Sequence, residues 1–375
     1  MKLTRLMENK VIIIGINHES TLGFVRCFGI AGIFPICVLY GPKEGLVFSS
    51  KYAKEAHHED NQEACLEYII KNFSAITPKP FLFGSNDESA SVINENYNFL
   101  KEHFIVESAK DCEGEIVRLM DKWTLYQEAE QHGLKVAKTL LMNRNDKIPS
   151  GIEYPVFTKS MRTIDGGKSD EKICKDEEEL RRYIKLCHAE MIMVQKYIEK
   201  KEEFNYYGFS CGGEVFIPYE NHRPRFAEGK LSGYHIFQPA EQNDLYRSVI
   251  SLMRETGYNG LFTAEFLIDK SGDAFFMEVN FRHDGATWLL VPGLNIPIEY
   301  CLRVLGEKSG SIHINKKKVI GMRERVDYEQ SVKSGKMPFI KWFNELLTVD
   351  SRMLIDRHDM GPLWFSIKNR IKNRH

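Results

Sequence analysis

Along the first third of the chain, apolar positions fall into short solid runs separated by segments with helical spacing. The run 11-VIIIGI-16 has no polar break, as a strand buried on both faces requires. The pattern predicts a strand over Val11–Ile16, a helix over Ser20–Ile30 capped by Ser20, and a second strand over Ile36–Tyr40. A helix over Asn61–Phe73, a strand at 80-PFLFG-84, a helix over Glu88–Glu102 and a short strand at 104-FIVE-107 continue the alternation. Strands separated by helices imply an open, parallel α/β sheet. In such a sheet the loop after the first strand faces a ligand crevice, which makes Asn17, His18 and Ser20 candidate substrate contacts. The same turn, 15-GINHESTLG-23, lacks the GxGxxG spacing of a dinucleotide site.

A second unit begins near Leu119. The segment 121-DKWTLYQEAEQHG-133 reads as a helix opened by Asp121 and stopped by Gly133. A strand at 139-TLLM-142 and a β-rich run ending at Lys159 follow. The run opens into a loop carrying Gly166, Gly167, Lys168 and Ser169, where adjacent glycines let backbone N–H groups approach phosphate. Next come a helix over 176-DEEELRRYIKLCHA-189, a strand over Met191–Ile198, and a turn at 211-CGGE-214 joining two more strands. The piece Gln195–Ile198 with Glu202 and Glu203 behind it fits a connector reading an adenine edge, with a carboxylate for ribose hydroxyls.

Strict alternation returns at 277-MEVNFRHDG-285, which puts Glu278, Asn280 and Arg282 on one face of a strand. Its neighbour is 261-LFTAEFLID-269, joined to it through 270-KSGD-273. Pairing that sets Ile268 against Phe275, Phe266 against Met277, Ala264 against Val279 and Phe262 against Phe281 buries apolar side chains throughout. The same register opposes Glu265 to Glu278 and Thr263 to Asn280. Two facing carboxylates repel unless something neutralises them, and a hard divalent cation shared with phosphate oxygens does so. Arg282 then holds a phosphate or a developing oxyanion in its planar fork.

Composition narrows the class. The chain has 375 residues, 43% of them hydrophobic and 27% charged, with a formal net charge of −1, which describes a globular protein of several units with no general affinity for nucleic acid. Eight cysteines show neither CxxC pairs nor a regular framework, and no run is long enough to span a bilayer, so a cytoplasmic location is expected. The segment 361-GPLWFSIKNRIKNRH-375 mixes aromatic, aliphatic and basic residues as a docked terminal helix would, with peripheral contact to an anionic membrane as the alternative.

Glu265, Glu278, Asn280 and Arg282 together resemble the ExNxR signature of the ATP-grasp superfamily, preceded there by a glutamate on the adjoining strand. The stretches 22-LGFVRCFGIAGIFPICVLY-40, 49-SSKYAKE-55, 86-NDES-89 and 121-DKWTLYQEAEQHGL-134 resemble predicted carboxylate-amine ligases related to D-aspartate ligase. The resemblance implies an α/β chain, α+β in its ATP-grasp module. Residues 1–118 form an N-terminal open parallel sheet, 119–320 a two-lobed ATP-grasp fold with a lid over 135–195, and 321–375 an extension. It implies ATP contacts by Lys122, Lys159, Gly166, Gly167, Lys168, Ser169, Gln195, Lys196, Tyr197 and Ile198. Glu203 is the ribose carboxylate, with Glu202 as the alternative.

Glu265, Glu278 and Asn280 would hold Mg2+, as two ions, with Mn2+ able to substitute, and Arg282 and Lys159 would be catalytic. Arg223, Arg225 and Lys230 are candidates for a substrate carboxylate. Phe281 stands where the signature commonly has proline. The implied reaction activates a carboxylate as an acylphosphate and joins it to an amine. Small-molecule substrates are expected, such as an amino acid or a cell-envelope precursor. An acceptor of another kind (bicarbonate, thiol or phosphoryl acceptor) and a non-catalytic ATP-binding module remain open.

Overall fold

The structure is a computed structural model and describes residues 2–161, 171–225, 232–308 and 310–372. Its first sheet contains β1 (Val11–Ile16), β2 (Ile36–Tyr40), β3 (Glu55–His58), β4 (Phe81–Gly84) and β5 (Ile105–Val106), all parallel, in the order β3-β2-β1-β4-β5. β1 is buried between β2 and β4, with Ile12 opposite both Ile36 and Leu82. The strand order reverses at β1, so the loops leaving β1 and β4 open into one crevice at the carboxyl edge. Gly15 is required there, because a Cβ would sit 1.9 Å from Ser85 Oγ.

Several elements depart from the predicted ones. The helix after β1 spans Glu19–Gly29 with His18 at its N-cap, so Ser20 lies in the first turn and is not the cap. β3 was not predicted, since 55-EAHH-58 carries little apolar pattern. The helix expected over 88–102 is two helices, Asp87–Asn94 and Tyr97–His103. At the break Asn96 Nδ2 donates to Val92 O at 2.8 Å and Asn94 Oδ1 accepts from Ile116 N at 2.9 Å, which is the competition that makes asparagine a poor helix interior.

A short strand, β6 (Ser108–Ala109), leads to the helix Lys122–Gln131, whose N-cap Asp121 accepts from Thr124 N at 2.8 Å. Strands β7 (Thr139–Asn143), β8 (Val156–Ser160), β9 (Lys172–Cys174) and β10 (Met191–Lys196) make an antiparallel sheet in the order β7-β10-β8-β9. β10 ends at Lys196, short of the predicted Ile198.

The largest sheet holds β11 (Lys200–Cys211), β12 (Glu214–Arg225), β13 (Tyr234–Pro239), β14 (Tyr258–Asp269), β15 (Ala274–Asn280), β16 (Val319–Met322) and β17 (Ser351–Arg352), ordered β15-β14-β11-β12-β13-β16-β17, with β6 against β14. Through β16 and β17 the chain beyond residue 320 joins this sheet.

One hydrophobic cluster runs from the parallel sheet into the large one, including Ile13 and Phe83 on one side and Tyr207, Phe209 and Tyr300 on the other. The terminal region is tied to the first sheet by Arg26, which is fully buried. Its Nε donates to Asp359 Oδ2 at 2.8 Å and its Nη1 to Met353 O at 2.5 Å. No helix among the described residues is long and apolar enough to cross a membrane.

Candidate functional site

The β14–β15 hairpin sets Thr263 opposite Asn280, Ala264 opposite Val279 and Glu265 opposite Glu278, the register that burial selects. Beyond Glu278 it departs from the predicted register. A bulge at Met277 shifts the pairing, so Phe266 faces Phe276 and Ile268 faces Ala274. Phe276 is fully buried, packed on Phe266 and Tyr126 and bridged to Val136, and the bulge lets it face inward in place of Met277. β15 ends at Asn280, and Phe281 fills the core edge-on to Tyr258 at 5.1 Å instead of pairing with Phe262.

Around the facing carboxylates the charges interlock. Asn280 Nδ2 donates to Glu265 Oε1 at 2.9 Å, Lys122 Nζ lies 3.8 Å from Glu278, and Arg223 Nη2 lies 3.5 Å from Glu265. Loss of water pushes the Glu265 carboxyl above the usual carboxylate range; Arg223 opposes the rise while Glu278, Asp284 and Glu203 add to it. Such a carboxylate is poised to gain from a cation. Among the described residues no three His, Cys, Asp or Glu gather in a metal-binding arrangement. Two opposed carboxylates with an amide fit Mg2+ better than a zinc-like set, because Mg2+ completes its shell with water and phosphate oxygens.

Arg282 closes this face. Its Nε donates to Asp87 Oδ1 at 2.6 Å, its Nη2 to Asn280 Oδ1 at 3.0 Å and its Nη1 to His283 O at 3.1 Å. Burial opposes its charge, but Asp87, Asp284 and Glu278 outweigh that, and the guanidinium stays protonated. The next residue, His283, is buried and stacked on Phe24 at 3.9 Å, which seats the segment after β15 on the helix Glu19–Gly29. Gly285 is needed at that contact, since a Cβ would meet Ser20 Cα at 2.6 Å.

Lys159 is buried, and its Nζ donates to Tyr126 Oη at 2.9 Å. Gln195 is buried too, and its Nε2 donates to Thr139 Oγ1 at 2.8 Å. Lys196 is exposed, 3.5 Å from Glu153, and Tyr197 N donates to Pro155 O at 3.2 Å; Ile198 is half-buried. Glu203 shares the face of Glu265, 2.6 Å from Lys200 and 3.4 Å from Arg223. Glu202 points the other way, 3.4 Å from His222. The candidates Gly166, Gly167, Lys168, Ser169 and Lys230 lie outside the described residues.

Two candidates are not where the sequence reading put them. Arg225 is turned from the cleft by a register shift after His222. It stacks over Tyr234 at 3.7 Å and pairs with Asp327 at 3.4 Å and with Glu345. Asn17 is buried and holds its own loop, with Nδ2 donating to Pro42 O at 3.1 Å and Oδ1 accepting from Val47 N at 2.9 Å. His18 is exposed at the N-cap, and Ser20 is half-buried against Gly285. Sequence reasoning also passed over Asp87, Asp284, which accepts from Tyr207 Oη at 3.3 Å, and Asn205, which accepts from Arg223 Nη2 at 2.7 Å. Asp87 and Asp284 lie in the stretches 86-NDES-89 and 277-MEVNFRHDG-285, and Asn205 is signalled only as a polar residue on the face shared with Glu265.

No family model matches the chain. A stretch of 149 residues is 30% identical to the 2-oxoglutarate carboxylase small subunit of Hydrogenobacter thermophilus, covering 36% of this chain and 31% of that protein, so the match spans about a third of the relative. The fold is shared with the L-amino acid ligase of Bacillus licheniformis at a TM-score of 0.62 and 15% identity, over 82% of this chain and 78% of that one. It is shared also with the biotin carboxylase domain of the H. thermophilus 2-oxoglutarate carboxylase, solved with MgADP, ADP and bicarbonate, at a TM-score of 0.61 and 19% identity, over 80% and 70% of the two chains.

Proposed function

We propose, with the ATP-grasp fold as premise, that this chain is an ATP-dependent ligase that activates a carboxylate and joins it to an amine. The observation that carries the reading is the single polar face on which Glu265, Glu278, Asn280 and Arg282 meet, with Lys122 beside Glu278. The γ-phosphoryl group passes from ATP to a carboxylate oxygen, and the bond to ADP breaks. The amine nitrogen then attacks the acyl carbon, the C–O bond to phosphate breaks, and the amine proton leaves to solvent.

Phosphoryl transfer of this kind needs positioning and charge neutralisation more than covalent help. Glu265, Glu278 and Asn280 would hold Mg2+, which neutralises the phosphate oxygens when bound. Lys122 and Lys159 are assigned to the phosphates, Gln195–Ile198 to the adenine, and Glu203 to the ribose. The sheet face that Glu203 shares with Glu265 supports it over Glu202. Arg282, braced from three sides, is assigned to the oxyanion that develops at the acyl carbon.

The second reading is bicarbonate as the carboxylate, favoured by the stretch similar to a carboxylase. Phosphate release from MgATP, measured against a panel of acids and amines with and without bicarbonate, separates the two. A rise with an acid–amine pair supports amide formation. A rise that needs bicarbonate supports the second reading. No rise with any combination overturns both.

A further inference from the structure

Beside the metal-type carboxylates lies a group of buried side-chain polar atoms that have no partner among the described residues. They are Asn205 Nδ2, Asn221 Oδ1, Arg223 Nε, His235 Nε2 and Arg323 Nε. Asn205 and Asn221 are fully buried, His235 is 2% exposed and Arg223 is 8% exposed. Leaving one such group unsatisfied costs roughly 1–3 kcal/mol, and the gathering of five at one place calls for a common partner.

Sheet order brings them to one place. Asn205 on β11 is opposite Asn221 on β12, and Asn221 Nδ2 meets His235 Nδ1 on β13 at 3.0 Å. Arg323 follows β16, the next strand; its backbone N donates to Gly233 O at 2.7 Å, and its Nη2 donates to Glu19 Oε2 at 2.9 Å. His235 is opposite Gly321 on β16, so Arg323, two residues on, shares its face, as Arg223 shares that of Asn221; burial first, then the charges of Arg223 and Arg323, hold the His235 ring well below the usual imidazole range. Three of the five unpartnered atoms, Asn205 Nδ2 and the Nε of Arg223 and Arg323, are donors in either His235 tautomer. Arg223 also lies 3.5 Å from Glu265, so the cluster adjoins the proposed reaction centre.

We propose that Arg223, His235 and Arg323, on a floor of Asn205 and Asn221, form a subsite for a carboxylate that the reaction does not consume, carried by one of the two substrates. The two guanidinium Nε donors with the Asn205 amide suit the oxygens of a carboxylate, a charge-assisted acceptor. The inference rests on the ligase reading for its place in the reaction but not for the binding itself. The carboxylate has two possible sources: a dicarboxylic acid as the acyl donor, or an amino acid as the amine.

The test uses the full chain and Arg323→Gln, a change at a partly exposed side chain outside the nucleotide site. Thermal shift with succinate, succinamate and succinamide, without ATP, reads binding alone. The wild type should be stabilised in the order succinate, succinamate, succinamide, and the variant should lose the preference. In turnover, glycine against glycinamide tests the amine source, and succinate against succinamate tests the acid source. Arg323→Gln should raise KM for the carboxylate-bearing substrate about 10- to 100-fold, with kcat and KM for ATP nearly unchanged. Should Arg323→Gln fail to fold, Arg323→Lys, which keeps the charge, serves in the same assays with a smaller rise. Equal binding of succinate and succinamide, or a variant with unaltered KM, overturns the inference. Succinate binding that depends on Arg323 without any ligase turnover would uphold the subsite and sink the function proposed above.

Discussion

Arg282 and Asp87 stand 195 positions apart in the chain and meet at 2.6 Å, Nε to Oδ1. The contact joins the residue just past β15 to the first turn of the helix that follows β4, and so couples the large sheet to the parallel one. It leaves Arg282 with its fork fixed between Asp87 and Asn280.

Asp87→Asn removes the charge that orients the fork and should lower kcat about tenfold while leaving KM for ATP near wild type. Arg282→Lys keeps one charge and loses the fork, with an expected fall in turnover of about a hundred- to a thousandfold. Both are read by steady-state kinetics on the acid–amine pair found by phosphate release. A collapse of ATP affinity with turnover preserved would make Arg282 a nucleotide anchor.

Glu278→Gln should abolish turnover. It should also weaken nucleotide binding when magnesium is present, and much less when it is chelated. Calorimetric titration of ADP with and without magnesium measures the difference. Equal loss in both conditions would remove Glu278 from the metal set.

Glu107 is buried beside Leu261, whose N–H it accepts at 2.7 Å, and loss of water pushes its carboxyl up to about 8. An unfolded glutamate titrates near pH ~4.3. Between those values the folded chain holds a proton that the unfolded chain has released, so this group's stability contribution is complete below about pH 4 and is lost as pH rises through 8. The slope it adds is at most about 1.4 kcal/mol per pH unit. Glu107→Gln should flatten denaturation stability between pH 5 and pH 8, as read by urea melts across that range. An unchanged slope would show that Glu107 titrates normally.

The Arg26–Asp359 pair is fully enclosed, and Asp359 also accepts from Ser50 Oγ at 2.7 Å and Lys51 N at 2.9 Å. Arg26→Met leaves that carboxylate buried without its counter-charge and should cost about 3–5 kcal/mol of unfolding free energy. Equilibrium denaturation measures it, and a loss under ~1 kcal/mol, the scale of an exposed pair, would mean that Ser50 Oγ and Lys51 N alone satisfy Asp359.

Local pattern alone determined a good part of this protein. Period-two alternation put Glu278 and Asn280 on one strand face, and burial of Ala264 against Val279 chose the pairing that opposes Glu265 to Glu278. The unbroken run Val11–Ile16 marked a strand covered on both sides, and Asp121 marked the start of the helix that carries Lys122. These features are legible because each depends on residues close in the chain or joined by one turn.

The tertiary structure decided the rest. Phe276 and Met277 are both apolar, so only packing on Tyr126 and the bridge to Val136 could choose which faces inward, and the bulge follows from that choice. Arg223 and Arg225 look alike in sequence, yet a register shift after His222 leaves one beside Glu265 and sends the other to Asp327 and Glu345. Asp87 lies in 86-NDES-89, a stretch that by itself assigns it no role, and His235 and Arg323 carry no motif at all. They reach the site because strand order sets which distant segments become neighbours, and a long-range contact leaves no periodic trace in the chain.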